Sequence, residues 1–141
     1  MSKKISVMLI DDNKIDLFIH HEFIKQMDIA QTVLEYTFAS EALKFLQENE
    51  GSKWPDLILL DIHMPIMNGF EFLDKYIDLP ISLRQKCSVI AVSSSLDTGD
   101  KLRAKEHSEV LQLIEKPLNS NKLKLLLESE TFFVIIRISV V

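Results

Sequence analysis

Leu57-Ile58-Leu59-Leu60 is an unbroken aliphatic run followed directly by Asp61. A strand with one wet face alternates apolar and polar side chains. A run without alternation therefore predicts a strand covered on both faces, as in the middle of a parallel sheet. Ile5 to Ile10 is a second apolar run, closed by Asp11-Asp12-Asn13. Thr32 to Phe38 alternates loosely, as an edge strand does, and Ser88 to Val92 and Val110 to Ile114 predict strands four and five.

The intervening segments carry helical periods. Ile15, Phe18, Ile19, Phe23 and Met27 predict one apolar face of a first helix. Ser40 is placed to cap a second, with Ala42, Leu43, Phe45 and Leu46 facing inward. Asn68-Gly69 opens a third carrying Phe70, Phe72, Leu73, Tyr76 and Ile77, stopped near Pro80. Thr98 to His107 is polar and weakly periodic, and Asn119 heads a last helix with Leu123, Leu126 and Leu127 inward. His20 and His21 read as solvated or half-buried helix histidines, and Trp54 as a loop lid before the central strand. Strands alternating with helices predict an α/β fold, a doubly wound, five-stranded parallel sheet with helices on both faces.

The tail Thr131 to Val141, TFFVIIRISVV, breaks this pattern. A β-prone apolar segment of that kind invites edge pairing, burial or a partner contact. The expected division is therefore a folded domain over residues 1–129 and an apolar tail over 130–141. The length of 141 residues suits one domain. The net charge of −5, with scattered basic residues, argues against direct binding of nucleic acid. The one cysteine, Cys87, excludes an internal disulfide and fits a reducing compartment. The start does not read as a signal peptide, and no uninterrupted apolar run reaches the ~20 residues of a membrane span, so a cytoplasmic protein is expected.

Chemistry gathers at the strand ends. Asp11-Asp12 follows the first strand, Asp61 the third, Ser93 the fourth and Lys116 the fifth. In a doubly wound sheet these ends share the edge where ligands collect. Three carboxylates drawn together repel one another and are driven to protonate unless a cation joins them. Oxygen ligands without His or Cys favour Mg²⁺ or Mn²⁺ over Zn²⁺. A lysine ammonium facing such a cation makes a place where a phosphoryl group's charge is neutralised from two sides. An aspartate there can itself be the nucleophile, forming an acyl phosphate.

With its Asp11-Asp12 pair, the segment LLDIHMPIMNG around Asp61, Ser93 and Lys116-Pro117, the chain resembles a response-regulator receiver domain of the chemotaxis-regulator type. The likeness covers roughly residues 4 to 128. It implies strand order 2-1-3-4-5 and Asp61 as phosphoacceptor. It implies Mg²⁺ held directly by Asp12, Asp61 and the backbone carbonyl of His63, and by Asp11 through water. It implies that Ser93 bonds a phosphoryl oxygen and that Lys116 pairs with the phosphate, its bond to Pro117 being cis. Gly69 is implied to allow close helix packing. The implied partners are a sensor histidine kinase or histidine phosphotransfer protein and a downstream protein, with a homodimer left open. The implied activity is confined to the domain's own phosphorylation and dephosphorylation.

Three departures from the family pattern stand out. Leu113 replaces the aromatic switch residue, Glu109 and Val110 replace small loop residues, and His63 and Ser95 occupy positions that tune dephosphorylation. Two other classes fit less well. A haloacid-dehalogenase-type phosphatase wants an aspartate where His63 stands, and the acidic loop after strand one would repel a flavin phosphate. A receiver-like module that binds proteins without phosphorylation remains the closest alternative.

Overall fold

The computed structural model describes residues 4–116, 118, 121 and 122. Pro117, the tail and, apart from Asn121 and Lys122, the expected last helix lie outside the described residues. Five strands form one parallel sheet: β1 (Ile5–Ile10), β2 (Ala30–Tyr36), β3 (Leu57–Asp61), β4 (Ser88–Ser93) and β5 (Val110–Glu115). Their order is β2-β1-β3-β4-β5, the expected one. β3 pairs with β1 on one side and β4 on the other, and every one of its residues is buried.

Alternate strand residues feed two separate cores. Met8, Ile10, Ile58 and Leu60 point into one, and Val7, Leu9, Leu57 and Leu59 into the other. The missing alternation thus has a direct cause: a polar residue at any of these positions would be stranded in apolar surroundings. Each such side chain contributes about 1.5–3 kcal/mol relative to an exposed one.

Among the described residues, five α-helices cover the sheet: α1 (Lys14–Met27), α2 (Ala39–Glu48), α3 (Gly69–Tyr76), α4 (Ile81–Lys86) and α5 (Thr98–Glu106). In α1 the expected face is rotated. Leu17, His20 and Ile24 are buried, while Ile15 and Phe18 are 70% and 66% exposed. Phe23 and Met27 still pack on the core, so the misreading affects the first half. The observed phase is consistent with the start of the helix: Asn13 caps it through Ile15 N and Asp16 N, and Asp16 reaches Lys116. His20 is therefore buried rather than wet, and burial holds its imidazole below the ordinary 6.5.

Helix α2 starts one residue before the expected cap. Phe38 is its N-cap, without a side-chain bond, and Ser40 lies exposed inside the helix. Burying Ala39, Ala42, Leu43 and Leu46 on one stripe demands that earlier start. Trp54 is a core residue, not a lid: it is buried, and its indole N–H donates to Leu46 O at 3.1 Å. Pro80 stops α3's path as expected but also opens α4, a six-residue helix with one buried residue, Leu83, too short to show a period. Glu109, an unexpected acid in its loop, pairs with Arg84 of α4 at 3.5 Å. Among the described residues, no helix is long and apolar enough to cross a membrane.

Candidate functional site

The parallel register brings the carboxyl ends of β1, β3, β4 and β5 to one edge. Asp61 is the last residue of β3 and pairs in register with Val92, so Ser93 lies one step further along β4. Ser93 in turn pairs with Glu115 and accepts the Lys116 backbone N–H at its carbonyl, 2.7 Å. The loop after β3 is held by Gly69. A Cβ there would lie 2.8 Å from Asp61 O and from Ile62 Cα, so only glycine lets α3 begin against the backbone of Asp61. Asn68 then caps α3 in a reciprocal pair with Glu71.

Asp11, Asp12 and Asp61 each offer a carboxylate oxygen within 4.8 Å of the others'. Asp11 and Asp61 are buried and Asp12 is exposed. Asp11 Oδ1 accepts from Asn13 N, and Asp61 Oδ1 from His63 N. Asp11 Oδ2 is buried with no hydrogen-bond donor; Lys116 Nζ stands 2.8 Å away as an ion pair, outside hydrogen-bonding angles. Burial and the Asp11 charge push the Asp61 carboxyl up to about 7, against the opposing pull of Lys116 and the His63 N–H. Three carboxylate oxygens within 4.8 Å of one another, a carboxyl that resists ionising and an all-oxygen donor set fit a hard divalent cation such as Mg²⁺.

Lys116 is nearly buried, its side chain 10% exposed. Burial alone would lower its pKa, but Asp11, Asp16 and Asp61 outweigh that and raise it to about 12. The ammonium stands 3.6 Å from Asp61 Oδ1 and donates a 2.9 Å hydrogen bond to Asp16 Oδ2. Ser93 is fully buried, but its hydroxyl is turned to its own loop, donating to Ser95 O (2.8 Å) and accepting from Ser95 N (3.2 Å). The His63 ring reaches away from Asp61 to Asp100 Oδ2 of α5, at 2.9 Å.

Of the residues singled out in the sequence, Asp11, Asp12, Asp61 and Lys116 meet directly. Ser93 sits on the adjacent strand end, bonded elsewhere. Two participants were missed. Asp16 reads in sequence as an ordinary acid in a helix's first turn, and Asp100 as one of several polar residues in the weakest helical stretch. The place of Asp16 in the first turn of the helix that follows the acidic pair was the available signal for the first. The second had none.

A parallel five-stranded sheet with an acidic strand-end cluster and an opposed lysine defines the phosphorylation-type signalling domains. Residues 7–128 match the response regulator receiver domain, and the chain belongs to that family, the receiver domains of two-component systems. It is 35% identical over 123 residues to the sensor histidine kinase CheAY of Helicobacter pylori, covering 83% of this chain and 14% of that protein. It is 28% identical over 131 residues to two-component response regulator 24 of Arabidopsis thaliana, covering 93% of this chain and 87% of that one. Among solved structures, a two-component response regulator from Cytophaga hutchinsonii superposes with a TM-score of 0.83 at 31% identity, covering 96% of this chain and 99% of that one. The chain spans less than a third of the length of several curated relatives, the histidine kinase and protein-glutamate methylesterases among them. The activities of those longer proteins belong to them.

Proposed function

We propose that Asp61 accepts a phosphoryl group from a phosphohistidine of a sensor kinase or phosphotransfer protein, and that the phosphorylated domain signals by binding a downstream protein. The observation that carries this reading is the juxtaposition of the Asp61 carboxylate with two further acids and the Lys116 ammonium at one strand edge. Asp61 Oδ attacks phosphorus, the P–N bond breaks with its electron pair going to the histidine nitrogen, and an acyl phosphate forms. Asp12, Asp61 and the His63 carbonyl, with Asp11 through water, would hold Mg²⁺, which supplies positive charge to the phosphoryl oxygens.

The chain's own side chains do the rest. Lys116 neutralises phosphoryl charge from the opposite side, in a nearly dry position where that attraction is little screened. The Ser93 hydroxyl donates to a phosphoryl oxygen once it releases Ser95 O. Ionisation of Asp61, needed for attack, is favoured when a cation offsets the Asp11 charge that opposes it.

Incubation with acetyl phosphate and Mg²⁺ tests this reading. One phosphoryl group per chain is expected, and EDTA is expected to prevent its uptake. No uptake under any divalent cation would instead favour a receiver-type binding module that works without phosphorylation.

A further inference from the structure

Asp16 has no part in the site inferred from the receiver resemblance, yet it holds the atom on which that site depends. Lys116 Nζ lies 2.9 Å from Asp16 Oδ2 in good hydrogen-bonding geometry, but 3.6 Å from Asp61 Oδ1. Asp16 is itself fixed: it sits in the first turn of α1, where its backbone N–H donates to the Asn13 side chain at 3.2 Å. Its side chain is 29% exposed, against 10% for Lys116, so it approaches the ammonium from the solvent side. The other close carboxylate, Asp11 at 2.8 Å, comes from the strand end beneath.

Three carboxylates, Asp11, Asp16 and Asp61, therefore share one ammonium. An added phosphoryl group brings more negative charge and needs a Lys116 N–H of its own. The ammonium has three N–H donors, so the contest is for its charge and position: the phosphoryl group gains a larger share as Nζ moves from Asp16 towards Asp61, and the Asp16 charge also repels it. We propose that Asp16 is a positioning residue that holds Lys116 in the unphosphorylated state and competes with the phosphoryl group for its ammonium. It thereby sets how readily the site takes up and retains phosphate. The opposite role, aiming Lys116 at the phosphoryl group, would place Nζ nearer Asp61 than Asp16, and the distances run the other way. Partial exposure limits the effect to the range of a screened ion pair.

The inference rests on the phosphoacceptor reading above, and titrations with beryllofluoride, a phosphoryl mimic, separate the two. In Mg²⁺, Asp16→Asn is expected to bind beryllofluoride about two- to fivefold more tightly than the unaltered protein. Its affinity for Mg²⁺ alone should be equal or weaker, because a negative charge has been removed. Asp16→Glu keeps the charge and is expected to stay within about twofold of the unaltered protein. The Lys116 ¹⁵Nζ resonance should move on Asp16→Asn before any ligand is added, a signature that a merely structural helix residue would not give. Unchanged or weaker beryllofluoride binding by Asp16→Asn, or equal tightening by Asp16→Glu, overturns the competition. If even the unaltered protein takes up no beryllofluoride, the phosphoacceptor reading fails and this one with it.

Discussion

At the scale of single residues, Asp61 and Ile66 both sit in conformations or surroundings that cost stability. The Asp61 carboxyl is raised from an ordinary 3.8 to about 7, chiefly by burial and then by Asp11. Between those values the folded protein binds a proton that the unfolded chain has lost, so stability falls as pH rises through that window. Asp61→Asn cannot ionise and escapes the loss. In EDTA its stability relative to the unaltered protein should grow from pH 4 to pH 7.5, by on the order of 3 kcal/mol. Urea unfolding at a series of pH values measures this, and a pH-independent difference would contradict the assignment. Ile66, in the turn after Asp61, has φ +70° and is 87% exposed. A β-branched residue is strained there, whereas asparagine tolerates it. Ile66→Asn should therefore raise stability by about 1 kcal/mol, read as a higher urea midpoint with an unchanged slope. A lower midpoint would show that the isoleucine side chain makes a compensating contact.

At the scale of elements, two links run from the site to the start of α5. One is the Ser93 hydroxyl, bonded to Ser95 just before the helix; the other is the His63 ring, bonded to Asp100 within it. Asp100 is itself fixed by Asp97, which accepts its N–H at 2.7 Å and caps α5. On the proposed reading, recruitment of Ser93 by a phosphoryl group would break the first link and leave the second. Leu113 has a different setting. It packs on the core beside a cavity of ≈ 370 Å³ shared with Leu96, Ala104 and Val110, and it has no hydroxyl to find a new partner. A ligand moves an equilibrium only through its differential affinity for the two states, and Leu113 supplies little difference. Beryllofluoride should therefore change amide exchange more across Ser93 to Asp100 than around Leu113. Equal changes in both places would contradict this.

The same scale shows what was legible in the sequence. The central strand β3 betrays itself through an unbroken apolar run, because burial on both faces leaves no room for polar residues. Amphipathic phase is weaker evidence. Ile15 and Phe18 looked like core in α1, but the helix buries Leu17, His20 and Ile24 instead, a phase consistent with Asp16 reaching a residue 100 positions away. The strand-end acids Asp11 and Asp61 were legible because each ends an apolar run, and Lys116 because it stands beside a proline after the last predicted strand. The His63–Asp100 bond was not, since its partners lie 37 residues apart and neither ends such a run.

For the whole molecule, the topology itself assembles the site. Order β2-β1-β3-β4-β5 sets β3 between β1 and β4, so the acids after β1 and β3 adjoin, and β5 delivers Lys116 from the far side of β4. The central claim is that this edge exists to phosphorylate Asp61, and trapping the acyl phosphate tests it most directly. Borohydride reduces an aspartyl phosphate to homoserine, so peptide mass spectrometry after acetyl phosphate, Mg²⁺ and borohydride reads the modified residue. Conversion at Asp61, and its loss when Mg²⁺ is chelated, is the result expected. Conversion at Asp11 or Asp12 with Asp61 untouched, or label that survives Asp61→Asn at the same rate, would contradict the account.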